Sequence, residues 1–219
     1  RRENAMTAAI AQQQEAALRP LSAKALIGYG LGDFGCNLAF TLASTFLLYY
    51  YTDVAGLTAA SVGTMFFVVR LWDAFADLIA GRAVDRTMTR WGKFRPFILF
   101  FAVPLLVMSF LTFHVPSGWG DAATLLYVYL TYAALGLLYS LVNIPYGSLA
   151  SAMTQSVHQR AKLIAGRTLG AAAGSVLISY IIAPQISALR AQKNTLPPDV
   201  YLAQAQGIFT NITLLFVLL

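Results

Sequence analysis

The stretch from residue 124 to residue 150 reads TLLYVYLTYAALGLLYSLVNIPYGSLA and contains no Asp, Glu, Lys or Arg. About 20 consecutive apolar residues are enough for a helix that crosses the hydrocarbon core of a bilayer. This stretch is longer than that, so it predicts a membrane-spanning helix. It decides the fold class because much of the remaining chain has the same character.

The composition excludes several classes of protein. Hydrophobic residues make up 58% of the chain and charged residues only 11%, whereas soluble domains carry about 25% charged residues. A soluble globular domain and a disordered chain are therefore excluded. The net charge of +6 rests on only 15 Lys and Arg, too few for the basic surface that nucleic-acid binding requires. The single cysteine, Cys36, excludes a disulfide framework.

Six apolar runs follow one another, and each predicts a transmembrane helix. They cover residues 25–51, 61–84, 97–113, 124–150, 163–184 and 207–219. The expected fold is an all-α membrane protein, a bundle of six transmembrane helices. Residues 1–24 are polar and lack the features of a signal peptide, so we expect a cytoplasmic tail. The sixth run is still apolar at Leu219, and we expect it to be cut short rather than finished.

The distribution of Lys and Arg predicts the orientation of the bundle. The tail and the second and fourth loops carry eleven of them, the first and third loops carry none, and the fifth carries two. Because basic loops stay in the cytoplasm, we expect both termini and the even loops there, in a multi-pass protein of the plasma or inner membrane. The eleven are Arg1, Arg2, Arg19, Lys24, Arg82, Arg86, Arg90, Lys93, Arg95, Arg160 and Lys162.

Charged residues inside the spans are expensive and normally face a bundle interior or a wet cavity. Arg70, Asp73 and Asp77 lie at i, i+3 and i+7 of the second span, on one helical face. The two carboxylates are one turn apart, about 6 Å along the axis. Such a pair suits a small hard cation or the capture of a proton. The alternative is a structural ion pair with Arg70, although one Arg does not neutralise two acids.

Further polar residues occupy three other spans. They are Asp33 and Asn37 in the first, Tyr139, Ser140 and Asn143 in the fourth, and Arg167 in the fifth. Amides and a phenol offer the paired donors and acceptors that bind sugar hydroxyls. Ser140 could equally serve as a hydrogen-bonded contact between helices. Arg167 could donate to substrate, or form a salt bridge with an acid of the first or second span.

Several co-linear stretches between about residues 25 and 180 resemble the glycoside–pentoside–hexuronide:cation symporter family. A loop stretch, GRAVDR at 81–86, resembles the motif between spans 2 and 3 of the major facilitator superfamily, to which that family belongs. The other stretches are YGLGD at 29–33 with Asn37, YYYTDV at 49–54, RLWD at 70–73 with Asp77, RWGKFRP at 90–96 and NIPYGSL at 143–149.

The resemblance implies a fold and roles for particular residues. The fold would be the N-terminal half of a major facilitator, built from 3+3 inverted repeats. Asp73 and Asp77 match the cation site, assisted by Ser140, and they would ligate a metal ion only if Na⁺ is the coupling ion. The expected substrate site comprises Asp33, Asn37, Tyr139, Asn143 and Arg167. The expected cytoplasmic charge network that gates access comprises Arg70, Asp85, Arg86 and Arg160.

The chain also departs from the family pattern. The best-known member has acids at the positions of Asn37 and Asn143 and Trp at that of Gly147, so its sugar specificity does not transfer. Ala76 replaces an Asn that can assist the cation site, which favours H⁺, or unselective H⁺/Na⁺ coupling, over strict Na⁺ coupling. Gln155 and Gln159 stand where the family often has acids.

The function implied is secondary active transport: sugar:cation symport by alternating access. The expected partners are a small-molecule sugar, membrane lipid and a C-terminal six-helix half, with no cofactor. An enzyme is not expected, because no nucleophile–base pair or cluster of metal ligands is evident. Three alternatives remain: a carrier of another organic solute or lipid, a half-size transporter that dimerises, and a truncated membrane protein that does not transport.

Overall fold

A computed structural model of the chain describes residues 21–116 and 118–218, and in those residues it forms six helices and no β-strand. The predicted all-α bundle is thereby confirmed. The helices are α1 (Ala23–Tyr49), α2 (Ala59–Arg86), α3 (Arg95–Thr112), α4 (Asp121–Met153), α5 (Val157–Ala191) and α6 (Pro198–Leu218), and α1 continues into a π-helical turn at Tyr50–Val54. Most of the expected N-terminal tail lies outside the described residues.

Capping side chains place the starts of three helices before the apolar runs begin. Ser22 and Thr58 each accept a bond from the backbone N–H three residues later, at 3.2 Å, at the starts of α1 and α2. Ser156 caps α5 in the same way, six residues ahead of the expected span. A cap stabilises the first turn of a helix by accepting hydrogen bonds from its free backbone N–H groups. A helix can therefore begin in polar sequence, and a prediction from hydropathy alone places its start too late.

Helix α6 begins at Pro198, nine residues before its expected start. Its first turns are polar, but Tyr201 and Ala205 are buried in the bundle core. The Tyr201 hydroxyl lies 2.8 Å from the hydroxyl of Tyr49 at the end of α1. The composition of the first turns of α6 is typical of a loop. The packing of these few residues nevertheless keeps the segment helical.

The helices pack in a pattern that suits an inverted repeat. Helix α1 packs mainly on α5, and α4 packs mainly on α2 and α3, while α6 contacts α3, α5 and α1. Exchanging α1 with α4, α2 with α5 and α3 with α6 converts the α1–α5 pair into the α4–α2 pair. For this pair the contacts agree with the expected 3+3 arrangement, whereas α1 packs much less on α6 than α4 packs on α3.

Within residues 21–116 and 118–218, four helices are long and apolar enough, by length and composition, to cross a membrane. They are α1 with its π-helical turn, α3, α4 and α5. Helix α2 has sufficient length at 28 residues, but it carries Arg70, Asp73 and Asp77. The two remaining spans of the six predicted stay predictions.

Glycines bring α1 and α5 into close contact. A Cβ atom added at Gly170 would collide with the carbonyl oxygen of Gly30, and one added at Gly174 would lie 2.9 Å from the carbonyl oxygen of Phe34. Small residues allow this approach between membrane helices. The register of α1 against α5 therefore depends on glycine at these positions.

We expect Gly170→Ala to destabilise the protein, because the added methyl group must separate α1 from α5. Overpacking of this kind costs about 1–3 kcal/mol. Thermal unfolding of the purified protein in detergent measures the loss. Gly63→Ala is the matched control, since nothing lies within 4 Å of a Cβ atom there. Equal stability of the two variants would contradict the close contact.

Candidate functional site

A cavity of about 290 Å³ opens between α1, α2 and α4. It brings together the acids of α2 and the polar residues of α4, which are far apart in the sequence. Its polar and aromatic lining comprises Phe40, Ser44, Arg70, Asp73, Asp77, Tyr132, Tyr139, Ser140 and Asn143. The structure thus collects all three predicted cation-site residues and two of the five predicted substrate residues around one space.

Ser140 connects α4 to the second acid of α2. Its Oγ donates to Oδ1 of Asp77 at 2.6 Å. The same Oγ lies 3.1 Å from the carbonyl oxygen of Gly136, but a hydroxyl has one proton, and a charged acceptor makes the stronger bond. Ser140 therefore contacts the predicted cation site directly and also joins two helices, so both roles considered for it are compatible.

Asp73 has an incompletely satisfied carboxylate. Its Oδ2 lies 3.6 Å from Nη1 of Arg70, whereas its buried Oδ1 has no hydrogen-bond partner among the described residues. Oδ1 lies against the backbone of Gly136, where a Cβ atom would collide with it. A buried charged oxygen without a partner is costly, so a proton or cation at Oδ1 would stabilise this arrangement. Gly136 was not singled out from the sequence, since a glycine in an apolar run carries no signal of its own.

The charged residues of the spans differ in how much of their surface is exposed. Asp33 is only 3% exposed, whereas the Arg70 side chain is 79% exposed, and Asp77 is also exposed in this bundle. Asp77 and Arg70 line the cavity where it opens at the surface. This agrees with the expectation that the charges of the second span face a cavity.

A second polar group joins α1, α4 and α5. Arg167 donates from Nε to Oδ1 of Asp33 at 2.9 Å and from Nη2 to Oδ1 of Asn143 at 2.8 Å. Asn37 donates from Nδ2 to Oδ2 of Asp33 at 3.1 Å. Of the two roles considered for Arg167, the structure shows the salt bridge, and its partner is the acid of the first span. Asn143 belongs to this group and also lines the cavity.

Two tyrosines pack beside this group. The rings of Tyr29 and Tyr146 stack with centroids 4.7 Å apart and planes within 9°, and the guanidinium of Arg167 lies 5.4 Å from the Tyr146 centroid. A Cβ atom at Gly147 would approach Nη1 of Arg167 to 3.0 Å. The sequence placed both tyrosines in family motifs but suggested no role for them. Tyr146 therefore lies against the Arg167 guanidinium, and Tyr29 packs on the ring of Tyr146.

The predicted charge network at the helix ends is not assembled in the described residues. Asp85 pairs with Lys93 at 2.8 Å, and Arg160 reaches only the carbonyl oxygen of Thr154, at 3.4 Å. Arg86 is exposed at the end of α2. The gating role of Arg70, Asp85, Arg86 and Arg160 therefore stays a prediction, and the ion pair of Asp85 with Lys93 was not foreseen. Arg70 lies apart from the other three, beside Asp73 at the cavity.

At the opposite end of the bundle, charged residues connect α1 to the α5–α6 loop. Lys193 contacts Oδ1 of Asp53 at 2.6 Å, and the guanidinium of Arg190 lies 4.3 Å from the ring centroid of Tyr49. The hydrogen bond to Asp53 is the main cause that raises the pKa of Lys193. The lysine therefore stays protonated. Neither contact was expected from the sequence.

Candidate metal ligands are few. The described residues contain no group of three or more His, Cys, Asp or Glu side chains that could hold a metal ion. The cavity takes its side-chain oxygens from the carboxylates of Asp73 and Asp77, from one amide and from four hydroxyls, and the Ser140 hydroxyl is hydrogen-bonded to Asp77.

Comparison with known proteins adds a family match and close relatives. Residues 28–219 match the family model described as MFS/sugar transport protein. The chain is 51% identical over 180 residues to the glucuronide carrier protein homolog of Escherichia coli K12, covering 82% of this chain and 38% of that protein. It is 43% identical to the isoprimeverose transporter of Lactiplantibacillus pentosus, over 73% of this chain and 33% of that protein.

A third relative is the inner membrane symporter YicJ of Escherichia coli K12. It is 39% identical to this chain, with coverage of 76% of this chain and 36% of that protein. All three relatives are named as carriers, transporters or symporters, and none is named as an enzyme. The chain spans only about a third of the length of these curated relatives, between 33% and 38%.

Proposed function

The chain belongs to the MFS/sugar transport protein family, among the glycoside–pentoside–hexuronide:cation symporters of the major facilitator superfamily, and on this premise we propose that it forms the N-terminal half of a cation-coupled sugar carrier. The family resemblance of the sequence motifs is thereby confirmed. This is a family of membrane transporters and not of enzymes, as the sequence predicted. The six-helix bundle fits the N-terminal half of its fold.

The observation that carries the proposal is the unpartnered carboxylate oxygen of Asp73 in the cavity it shares with Asp77 and Ser140. A cation or proton at this position neutralises charge on the cavity wall. The face of α2 that carries both acids then passes through an occluded state at lower cost. Alternating access of this kind requires that the ligands bind the two states differently, and the cation supplies one such difference.

We propose H⁺, or H⁺ and Na⁺ without strong selection, as the coupling ion. Ala76 is fully buried on α2 between the two acids, and its methyl group supplies no oxygen ligand. Hard metal cations require several oxygen ligands, whereas a proton requires one acceptor. Among the neutral oxygen groups that line the cavity in the described residues, the Ser140 hydroxyl alone is hydrogen-bonded to one of the two acids, and this supports a proton more than a dedicated Na⁺ site.

The test of the ion is uptake of labelled sugar at fixed pH with and without Na⁺. We expect accumulation to persist when K⁺ replaces Na⁺ and to fall as the inward proton gradient is reduced. Ala76→Asn, which restores an oxygen at this position, should increase the dependence on Na⁺. Strict dependence of the native carrier on Na⁺ would overturn the proton preference.

For the substrate we propose a sugar, bound by the amides and the phenol that face or adjoin the cavity. Tyr139 stacks on Phe40 with centroids 5.3 Å apart, which provides an aromatic surface for the apolar face of a sugar ring. Asn143 and Asn37 supply amide donors and acceptors for hydroxyl groups. Because one close relative is named for a glucuronide, we propose a hexuronide as the first substrate to test.

A neutral pentoside is the second candidate, since another relative is named for isoprimeverose. Arg167 is already paired with Asp33, which favours a neutral ligand over an anionic one. Counterflow with labelled glucuronides and pentosides distinguishes the two. For the carrier as a whole, we further propose a cytoplasmic N-terminus and a C-terminal six-helix half as the partner.

A further inference from the structure

A second cavity, of about 560 Å³, lies at the start of α3 and is separate from the site described above. Five residues line it: Arg90, Trp91, Arg95, Ile98 and Leu99. It thus combines two cationic side chains with an indole and two aliphatic side chains. None of these residues has a role in the proposed transport cycle.

The two arginines have no acidic partner within residues 21–116 and 118–218. The acid nearest in sequence, Asp85, is paired with Lys93 at 2.8 Å, and no salt bridge there involves Arg90 or Arg95. The guanidinium of Arg90 lies 5.3 Å from the ring centroid of Trp91. Both guanidinium groups therefore retain their capacity to bind an anion, with Arg90 positioned beside the indole.

The remaining wall of the cavity is apolar and continues along α3. Trp91 stacks on Phe100 with centroids 6.2 Å apart, and Leu99, Phe100 and Val103 are all more than half exposed. Helix α3 is one of the helices apolar enough to cross a membrane. A ligand that fills this cavity therefore has an anionic group at the arginines and a hydrocarbon part along α3.

We propose that this cavity binds an anionic phospholipid. The phosphate accepts hydrogen bonds from Arg90 and Arg95, the indole of Trp91 lies at the level of the headgroup, and an acyl chain packs along Ile98 and Leu99. Basic and aromatic residues at the end of a membrane helix favour this chemistry. The charge complements an anionic headgroup, and the exposed apolar wall complements a lipid rather than a free phosphate.

The test uses fluorescence quenching of Trp91 by brominated lipid in the full-length protein. Trp72, Trp119 and every tryptophan of the C-terminal half are replaced by Phe, so that Trp91 is the sole indole of the protein. The protein is reconstituted into phosphatidylcholine bilayers that contain brominated phosphatidylglycerol or brominated phosphatidylcholine. We expect phosphatidylglycerol to bind more tightly, by about fivefold for each arginine. Arg90→Gln/Arg95→Gln should remove that preference.

The control variant, Lys24→Gln/Arg82→Gln, loses the same charge away from the cavity and should keep the preference. If the tryptophan substitutions impair folding, native mass spectrometry of the protein with all its tryptophans, with and without Arg90→Gln/Arg95→Gln, provides the same comparison. Equal quenching by both lipids, or a preference that survives in the double variant, would overturn the proposal. Displacement of the lipid by inorganic phosphate at matched ionic strength would also overturn it, since the ligand would then be the free anion.

Discussion

Replacing Asp77 with asparagine is expected to abolish cation-driven accumulation of sugar against its gradient. The asparagine has almost the same shape, and its side-chain oxygen can still accept the bond from Ser140. It cannot take up a proton or present a negative charge to a cation. Uptake in proteoliposomes with an inward cation gradient should therefore proceed only to equal concentrations inside and outside.

The control for this variant is Asp121→Asn, which removes an acid from the first turn of α4, outside the cavity. It should leave accumulation intact. Sugar exchange at equal concentrations reports whether the Asp77→Asn protein still folds and moves sugar. Accumulation by Asp77→Asn as high as that of the native carrier would show that the coupling site lies elsewhere.

Replacing Arg167 with glutamine is expected to cause both a large loss of stability and a loss of sugar transport. Asp33 has only 5% of its side chain exposed, so removing its partner leaves a buried charge uncompensated. Breaking a buried ion pair in this way costs about 3–5 kcal/mol. The same change removes the guanidinium that donates to Asn143 and thus disturbs the residue that connects this group to the cavity.

The double variant Asp33→Asn/Arg167→Gln separates the two effects. The double variant carries no buried charge at this position. Its thermal stability in detergent should therefore be close to that of the native protein. Counterflow should remain impaired, because the guanidinium that donates to Asn143 is still absent. Full recovery of transport in the double variant would mean that the pair only stabilises the bundle.

The fold class could be predicted because apolar runs close to the length of a bilayer crossing recur along the chain and allow few alternatives. The helix boundaries could not be predicted as well. Ser156 starts α5 ahead of its apolar run, and the burial of Tyr201 holds the first turns of α6 in a helix. Capping and tertiary packing determine where these helices start, and the average hydropathy of a segment contains no information on either.

Much of the candidate site could also be predicted, for a physical reason. Asp73 and Asp77 lie on one face of α2 by helical spacing, and a polar face of α4 is a natural partner for them. The partner of Arg167 could not be decided, because acids on both α1 and α2 were available. The glycine contacts between α1 and α5 decide it by bringing Arg167 next to Asp33.

The most direct measurement of the central claim is sugar uptake by the full-length carrier in proteoliposomes with imposed inward gradients of H⁺ and Na⁺. Labelled sugars are tested in turn, beginning with a glucuronide. We predict transient accumulation above the external concentration, which disappears when the ion gradients are dissipated and is absent in Asp77→Asn. The contrary result is that, with the ion gradients intact, no transported sugar ever rises above its external concentration. That result would contradict cation-coupled symport.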